Sequence, residues 1–201
     1  MVDLEPVVLP RKILMVNSTR GVVGGVERFI IQMSKVLREQ NWQIYGLFEN
    51  TVYKHAEFDD AFDDFEVSNS IDLEDIIEHY LELGIEAVCF HKVTKWQWIK
   101  QFQSKFLTCV IVHDHDYYCL RRHKYFPLGR INCKLPFSGI YCPVCAGMVE
   151  RKDGAIKLID VEQKFMTLKY IRACTVSYVL SDFMRNNLIM NHWPASSVHK
   201  L

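Results

Sequence analysis

Short apolar runs of strand length alternate along this chain with stretches whose apolar residues return every three or four positions. Residues 12–17 (Lys-Ile-Leu-Met-Val-Asn) are the first run, and so short and continuous a run favours a strand. Val26, Phe29, Ile30, Met33, Val36 and Leu37 then mark one face of a helix over 26–40. Residues 42–48 read as a second strand and 62–67 as a weaker third. A helix over 71–83 carries Leu73, Ile76, Ile77 and Tyr80 on one face, and Gly84 stops it. A strand at 85–91, a short helix at 95–106 and a buried strand at 107–113 follow. From 114 to about 154 no period holds, although connections usually run to about 4–6 residues; an insertion that long needs an internal fastener. The rhythm resumes with a helix over 160–172 (Val161, Phe165, Leu168, Ile171) and a strand at 174–180. Ser181 is a natural N-cap for a helix to about 191, with Asp182 favourable in its first turn. Residues 197–201 read as the start of one more strand. The alternation predicts an α/β chain: a Rossmann-like parallel sheet with helices on both faces. Residues 1–201 read as one domain, ending mid-element as the N-terminal part of something longer would.

Composition narrows the class. Apolar residues make up 49% and charged residues 24% of the 201, which excludes a disordered chain, a collagen and a coiled coil. No apolar run reaches the roughly 18 residues of a membrane helix. Met1-Val2-Asp3-Leu4-Glu5-Pro6 lacks the basic stretch and apolar block of a signal peptide, so the expected location is the cytoplasm. Lys plus Arg equals Asp plus Glu, 24 each, so net charge gives no drive toward nucleic acid. The charges are nonetheless segregated. Residues 57–82 hold eleven acids and no Lys or Arg, and residues 117–152 hold seven bases and one acid, Glu150. The acidic run reads as a solvated face.

Three places carry chemistry. The first is the turn after the opening strand, Ser18-Thr19-Arg20-Gly21-Val22-Val23-Gly24-Gly25-Val26-Glu27. Glycines at a strand-to-helix turn admit an anion close to the backbone, and the helix start offers donors. The pattern is neither G-x-G-x-x-G nor a P-loop, and a purely folding role for the turn competes. The second is Val112-His113-Asp114-His115-Asp116, at the carboxyl end of a buried strand. There a His can polarise a hydroxyl or move a proton near neutral pH. The His/Asp alternation also looks like a metal cluster, with the two His on one face of an extended segment.

The third is Cys119-x13-Cys133-x8-Cys142-x2-Cys145. C-x2-C spacing lets two thiolates grip one tetrahedral ion, and a closed four-sulfur shell makes such a zinc structural. An iron–sulfur cluster is the alternative occupant, and His115 or His123 could replace one sulfur. Seven cysteines without a secretory signal argue for a reducing compartment; Cys89, Cys109 and Cys174 lie in apolar segments and read as small buried hydrophobes. Arg121, Arg122 and Lys124 could meet a phosphate-bearing acceptor or an anionic membrane surface.

The order of these motifs resembles a known family. Lys12-Ile13-Leu14-Met15-Val16 followed by Gly24-Gly25-Val26-Glu27 is similar to the opening of the GT-B glycosyltransferases, in particular the large retaining family four. Val112-His113-Asp114 looks like that family's His-Asp after a mid-domain strand. Cys119, Cys133, Cys142 and Cys145 resemble a four-cysteine insertion of some members, with Leu120 where many have Pro. Ser181-Asp182-Phe183-Met184 and Val198-His199-Lys200-Leu201 look like the stretch before the interdomain linker. The resemblance implies an N-terminal, acceptor-side domain whose companion, a C-terminal domain absent from this chain, binds the UDP- or GDP-sugar. It implies sugar transfer with retention to a hydroxyl of a saccharide or lipid-linked acceptor, as in cell-envelope polysaccharide synthesis, peripherally at the inner membrane face. By the same implication Gly24 and Gly25 approach donor phosphate or sugar, His113 lies beside the reacting sugar in the same groove, and Glu27 is a motif position with an equally good structural role. This chain alone would be inactive. The rival reading is a non-enzymatic Rossmann-like binding module with a zinc-fastened loop; an epimerase or dehydrogenase is disfavoured by the missing G-x-G-x-x-G.

Overall fold

The computed structural model describes residues 11–68, 72–126, 131–152 and 155–201. The expected α/β architecture is present, built on a seven-stranded sheet flanked by helices. The strands are β1 (Arg11–Arg20), β2 (Trp42–Thr51), β3 (Asp64–Val67), β4 (Ala87–Phe90), β5 (Leu107–Val112), β8 (Val176–Val179) and β9 (Val198–Lys200), in the order β3-β2-β1-β4-β5-β8-β9. The pairings β1–β2, β2–β3, β5–β8 and β8–β9 are all parallel, as expected of strands read as near-continuous apolar runs. A separate antiparallel pair, β6 (Val149–Lys152) and β7 (Ala155–Leu158), stands outside this sheet. The chain forms two compact units, the first ending at Cys89 and the second spanning Phe90–Leu201.

In the first unit Leu14, Met15, Val16, Ile44 and Leu47 are completely buried. Strand β1 runs three residues past its apolar core, because the ladder continues through Thr19↔Asn50 and Arg20↔Thr51 without needing apolar side chains. Helix α1 (Gly25–Glu39) buries Glu27, Ile30, Ile31 and Ser34. The expected stripe through Val26, Met33 and Val36 is therefore rotated, and Val36 is exposed. Two polar residues share the buried face because both find partners; Ser34 Oγ, for one, donates to Met15 Sδ at 3.7 Å. A short helix α2 (Ala56–Asp59) precedes β3. Helix α3 (Leu73–Glu82) buries Ile76, Ile77 and Tyr80. The turn at Gly84 (φ +74°) follows it, and the expected first residue of this helix, Ile71, lies outside the described residues.

In the second unit α4 (Trp96–Gln103) and α6 (Val161–Arg172) meet through stacked Trp96 and Tyr170, 5.4 Å between ring centroids. Ser181 caps α7 (Asp182–Met190) as expected, its Oγ accepting from Met184 N. Between β5 and α6 the described residues are irregular apart from a five-residue helix α5 (Tyr141–Cys145), the antiparallel β6–β7 pair and a bridge between Tyr125 and Asn132. Protein contacts fasten this stretch. Asn191 Oδ1 accepts from Phe137 N at 2.6 Å, Phe137 meets Phe165 of α6 edge-on at 5.0 Å, and Gly139 leaves the room Phe165 needs, since a Cβ there would lie 2.6 Å from its ring.

Candidate functional site

The turn after β1 is shaped by one glycine and left open by two others. Gly21 has φ +110°, and a Cβ on it would strike Tyr53 O at 2.5 Å, so no other residue fits without strain. Tyr53 Oη donates to Val22 O and straps the turn. Arg20 makes a bidentate pair with Asp59 (2.9 and 2.7 Å) over the ring of Phe65, and that hydrogen bond raises its already high pKa. Glu27 is buried. Its Oε2 accepts from Gly24 N at 2.8 Å and its Oε1 from Asn17 Nδ2 at 3.3 Å. Glu27 thus has its structural role, and it takes up the Gly24 N–H that the sequence offers to a phosphate. Gly24 itself is extended (φ −165°), a conformation any residue adopts. A Cβ on Gly24 would meet only Glu27 Oε2, at 3.9 Å, and a Cβ on Gly25 would meet nothing within 4 Å. Neither backbone angle nor packing requires glycine at these two positions.

At the carboxyl end of β5, residues 114–118 bend and turn, with Asp116 N donating to Asp114 Oδ1 at 2.8 Å and Tyr118 N to His115 O at 3.1 Å. The two His therefore diverge instead of sharing a face. His113 stacks on His91, with Nε2 3.1 Å from His91 Nδ1. His115 Nδ1 meets Tyr118 Oη at 2.6 Å and its ring lies edge-on to Phe183. The turn is joined residue by residue to the segment after β4. His91 meets His113; Lys92 pairs with Asp114 at 3.5 Å and Asp116 at 2.9 Å; Tyr117 Oη accepts from Val93 N and donates to His91 O. Lys164 of α6 adds a donor to Asp116 O, and Arg122 lies 3.4 Å from Asp116.

These contacts set the protonation states. Burial, then the neighbouring His113, drives His91 well below the usual imidazole range. Burial also lowers His115 and Lys164. Burial opposes the charge on Lys92, but Asp116 and Asp114 together outweigh it and raise that lysine. His91, Lys92 and Lys164 are absent from the sequence reading. The first two had a signal: polar residues directly after an apolar strand, the same cue that singles out His113. Lys164 had none, because its position in the helical period reads as ordinary surface.

Among the described residues none of the seven cysteines forms a disulfide. Cys89 and Cys174 are buried as expected, whereas Cys109 is half-buried. Burial raises Cys142, and the Cys119 and Cys133 sulfurs raise it further. Cys142-Pro143-Val144-Cys145 lies on α5. The donor chemistry of four half-buried thiols suits zinc. The arrangement is not yet a cage, since no three His, Cys, Asp or Glu side chains among the described residues are placed to hold an ion, the His/Asp run at 113–116 included. The bases also differ from expectation. Lys124 is 2% exposed, with Nζ donating to Leu135 O and lying 4.0 Å from Cys133 Sγ. It faces inward toward the thiols and offers no surface charge, which the exposed-base reading had assumed. Arg121 donates to Cys145 O at 3.2 Å.

The strand order and helices define a Rossmann-like α/β protein. No model of a known protein family matches the chain, and no curated protein does. No helix among the described residues is long and apolar enough to cross a membrane.

Proposed function

We propose that this chain is the acceptor-side half of a retaining GT-B glycosyltransferase, working on a UDP- or GDP-sugar and a saccharide or lipid-linked hydroxyl acceptor. The observation that carries the reading is the open space at Gly24 and Gly25. Two glycines at a helix start that the fold does not require leave room for a ligand's phosphate or sugar against the backbone. His113, at the end of β5, would address the reacting sugar, and its link to His91 would hold the ring in one orientation. The rival, a non-catalytic binding module, draws support from Glu27, which satisfies the Gly24 N–H internally.

The test uses the protein in which this chain is joined to a donor-binding lobe. There His113→Ala lowers turnover by about a hundredfold or more while costing about 1–3 kcal/mol of stability, because the buried His91 loses this hydrogen bond. Turnover lost only in proportion to folded protein makes His113 structural, and no turnover of any sugar nucleotide by the unaltered protein favours the module. In the same reading Cys119, Cys133, Cys142 and Cys145 close round a structural zinc, with the buried Lys124 ammonium offsetting thiolate charge. Elemental analysis of protein purified without chelator then finds about one zinc per chain, lost when Cys142 and Cys145 become Ser. Metal-free protein with an ordered 119–145 segment removes the zinc.

A further inference from the structure

Lys124 is a buried cation with a thiol where a carboxylate is usual. It is 2% exposed, and among the described residues its Nζ donates to Leu135 O and lies 4.0 Å from Cys133 Sγ. No described carboxylate pairs with it; Asp114 and Asp116 are taken up by Lys92 and Arg122. The backbone sets this contact. Lys124 sits at φ +54°, in the left-handed region that residues with a side chain seldom adopt. The next residue, Tyr125, bridges antiparallel to Asn132, and Cys133 N donates to Lys124 O at 2.8 Å. Lys124 and Cys133 therefore face each other across that pairing, with their side chains on one side of it. The ring of Tyr118, itself buried, lies 5.8 Å from the ammonium. Cys133 is half-buried between exposed Asn132 and Lys134, so the pair stands at the border of interior and solvent.

A desolvated ammonium calls for an anion, and the group held against this one is a sulfur, whose thiolate is a nucleophile. Oxidised once, that sulfur becomes a sulfenic acid, which condenses with a thiol to a disulfide or with a nitrogen to a sulfenamide. The nucleophile held at Cys133 Sγ is the Lys124 amine. We propose that Lys124 and Cys133 form a peroxide-dependent sulfenamide cross-link, a modification site at the edge of the second unit. Counted as thiolate and ammonium, the pair reacts in two steps. The thiolate attacks hydrogen peroxide; the O–O bond breaks, sulfur is oxidised to the sulfenic acid, and the released hydroxide takes a proton from the ammonium as water. The freed amine then attacks sulfur. The N–S bond forms, the S–O bond breaks, and hydroxide leaves with the amine's proton as a second water. One peroxide is reduced, and a small thiol reverses the link. The proposal is independent of the transferase reading. It competes with zinc for Cys133, since a sulfur bonded to nitrogen no longer completes a four-sulfur shell.

Peptide mapping tests it. The 201-residue chain, freed of metal by a chelator and verified by elemental analysis, is treated with hydrogen peroxide and mapped under non-reducing conditions by mass spectrometry. The peptide holding Lys124 is found joined to the one holding Cys133, two hydrogens below their summed mass, and dithiothreitol parts them. Lys124→Arg keeps a cation in place and loses the link, leaving Cys133 as a sulfenic acid that dimedone captures. The map of the unaltered chain decides the matter even if that variant does not fold. In urea, where the two side chains part, the unaltered chain does not form the link. A folded, metal-free chain whose Lys124 stays unlinked under peroxide overturns the proposal, as does a disulfide from Cys133 to another cysteine. A link that forms equally well in urea also overturns it, because nearness in sequence, nine positions, would then explain it without the fold.

Discussion

At the scale of single residues, the glycines of the first turn differ in what the fold asks of them. Gly21 sits at φ +110° against Tyr53 O, so Gly21→Ala combines a disfavoured backbone angle with a clash and costs at least about 2 kcal/mol. Gly25 opens α1 with nothing near its missing Cβ. Gly25→Ala removes unfolded-state entropy and leaves stability level or up to about 1 kcal/mol higher. Denaturant unfolding of the two variants checks both signs. On the proposed reading of Gly25, the same variant joined to a donor-binding lobe raises KM for the proposed sugar nucleotide although it folds better. A destabilised Gly25→Ala would show that the glycine belongs to the fold. The strand-to-helix turn itself was legible, because glycine spacing is visible in one dimension. It left open which glycine has which task, since that depends on Tyr53, thirty-two positions from Gly21, and on the reach of Glu27 back to Gly24 N.

At the scale of elements, period and punctuation served well where one face of an element is buried. The helix ends at Gly84 and Ser181 and the sheet strands of both units were legible for that reason. The insertion was less so. Its fasteners are a side-chain amide, Asn191, reaching Phe137 N, and a buried lysine on a carbonyl; neither leaves a periodic trace. The facing turns after β4 and β5 were half legible, because His113 is conspicuous but its partner twenty-two positions earlier is tied to it only by folding. With 3.1 Å between His91 Nδ1 and His113 Nε2, one ring donates and the other accepts. The two tautomers are thereby coupled, and a ligand of His113 must address Nδ1 or displace His91. Long-range ¹⁵N correlation of the imidazoles therefore shows complementary tautomers at His113 and His91. His91→Phe uncouples His113 and shifts its tautomer populations. An unchanged His113 signal in a folded His91→Phe variant would sink the positioning role. Released tautomers with undiminished turnover would instead count against His113 as a group that meets substrate.

For the molecule as a whole, the same buried groups dictate how stability responds to pH, and they lie in the Phe90–Leu201 unit. His91 and His115 titrate lower in the folded chain than in the unfolded one, burial being the first cause for each. Below about pH 6.5 the unfolded chain binds protons that the folded chain refuses. Stability conferred by neutral imidazole is then lost as pH falls, at up to about 1.4 kcal/mol per unit for each group. On the alkaline side burial holds the Cys174 thiol up to about 12, from an ordinary 9.0, and raises Tyr118 as well. The unfolded chain ionises first there, so stability falls as pH climbs above about 9. Lys164, lowered by burial, works the other way between its folded value and the ordinary 10.5, gaining stability as pH rises. Lys92, raised by Asp116 against the opposing effect of burial, loses stability once pH passes the ordinary lysine value. The two lysines at the Asp116 turn act in successive windows, so Lys164 opposes Cys174 up to about pH 10.5 and Lys92 adds to the loss above it. Amide exchange followed residue by residue should give greatest protection for residues 90–201 between about pH 7 and 9. His91→Phe removes one imidazole's share of the acid limb and leaves the alkaline limb in place, while Cys174→Ala does the reverse. A His91→Phe variant with an acid limb as steep as before would mean that burial does not hold His91 neutral, and the acid limb would then belong to His115.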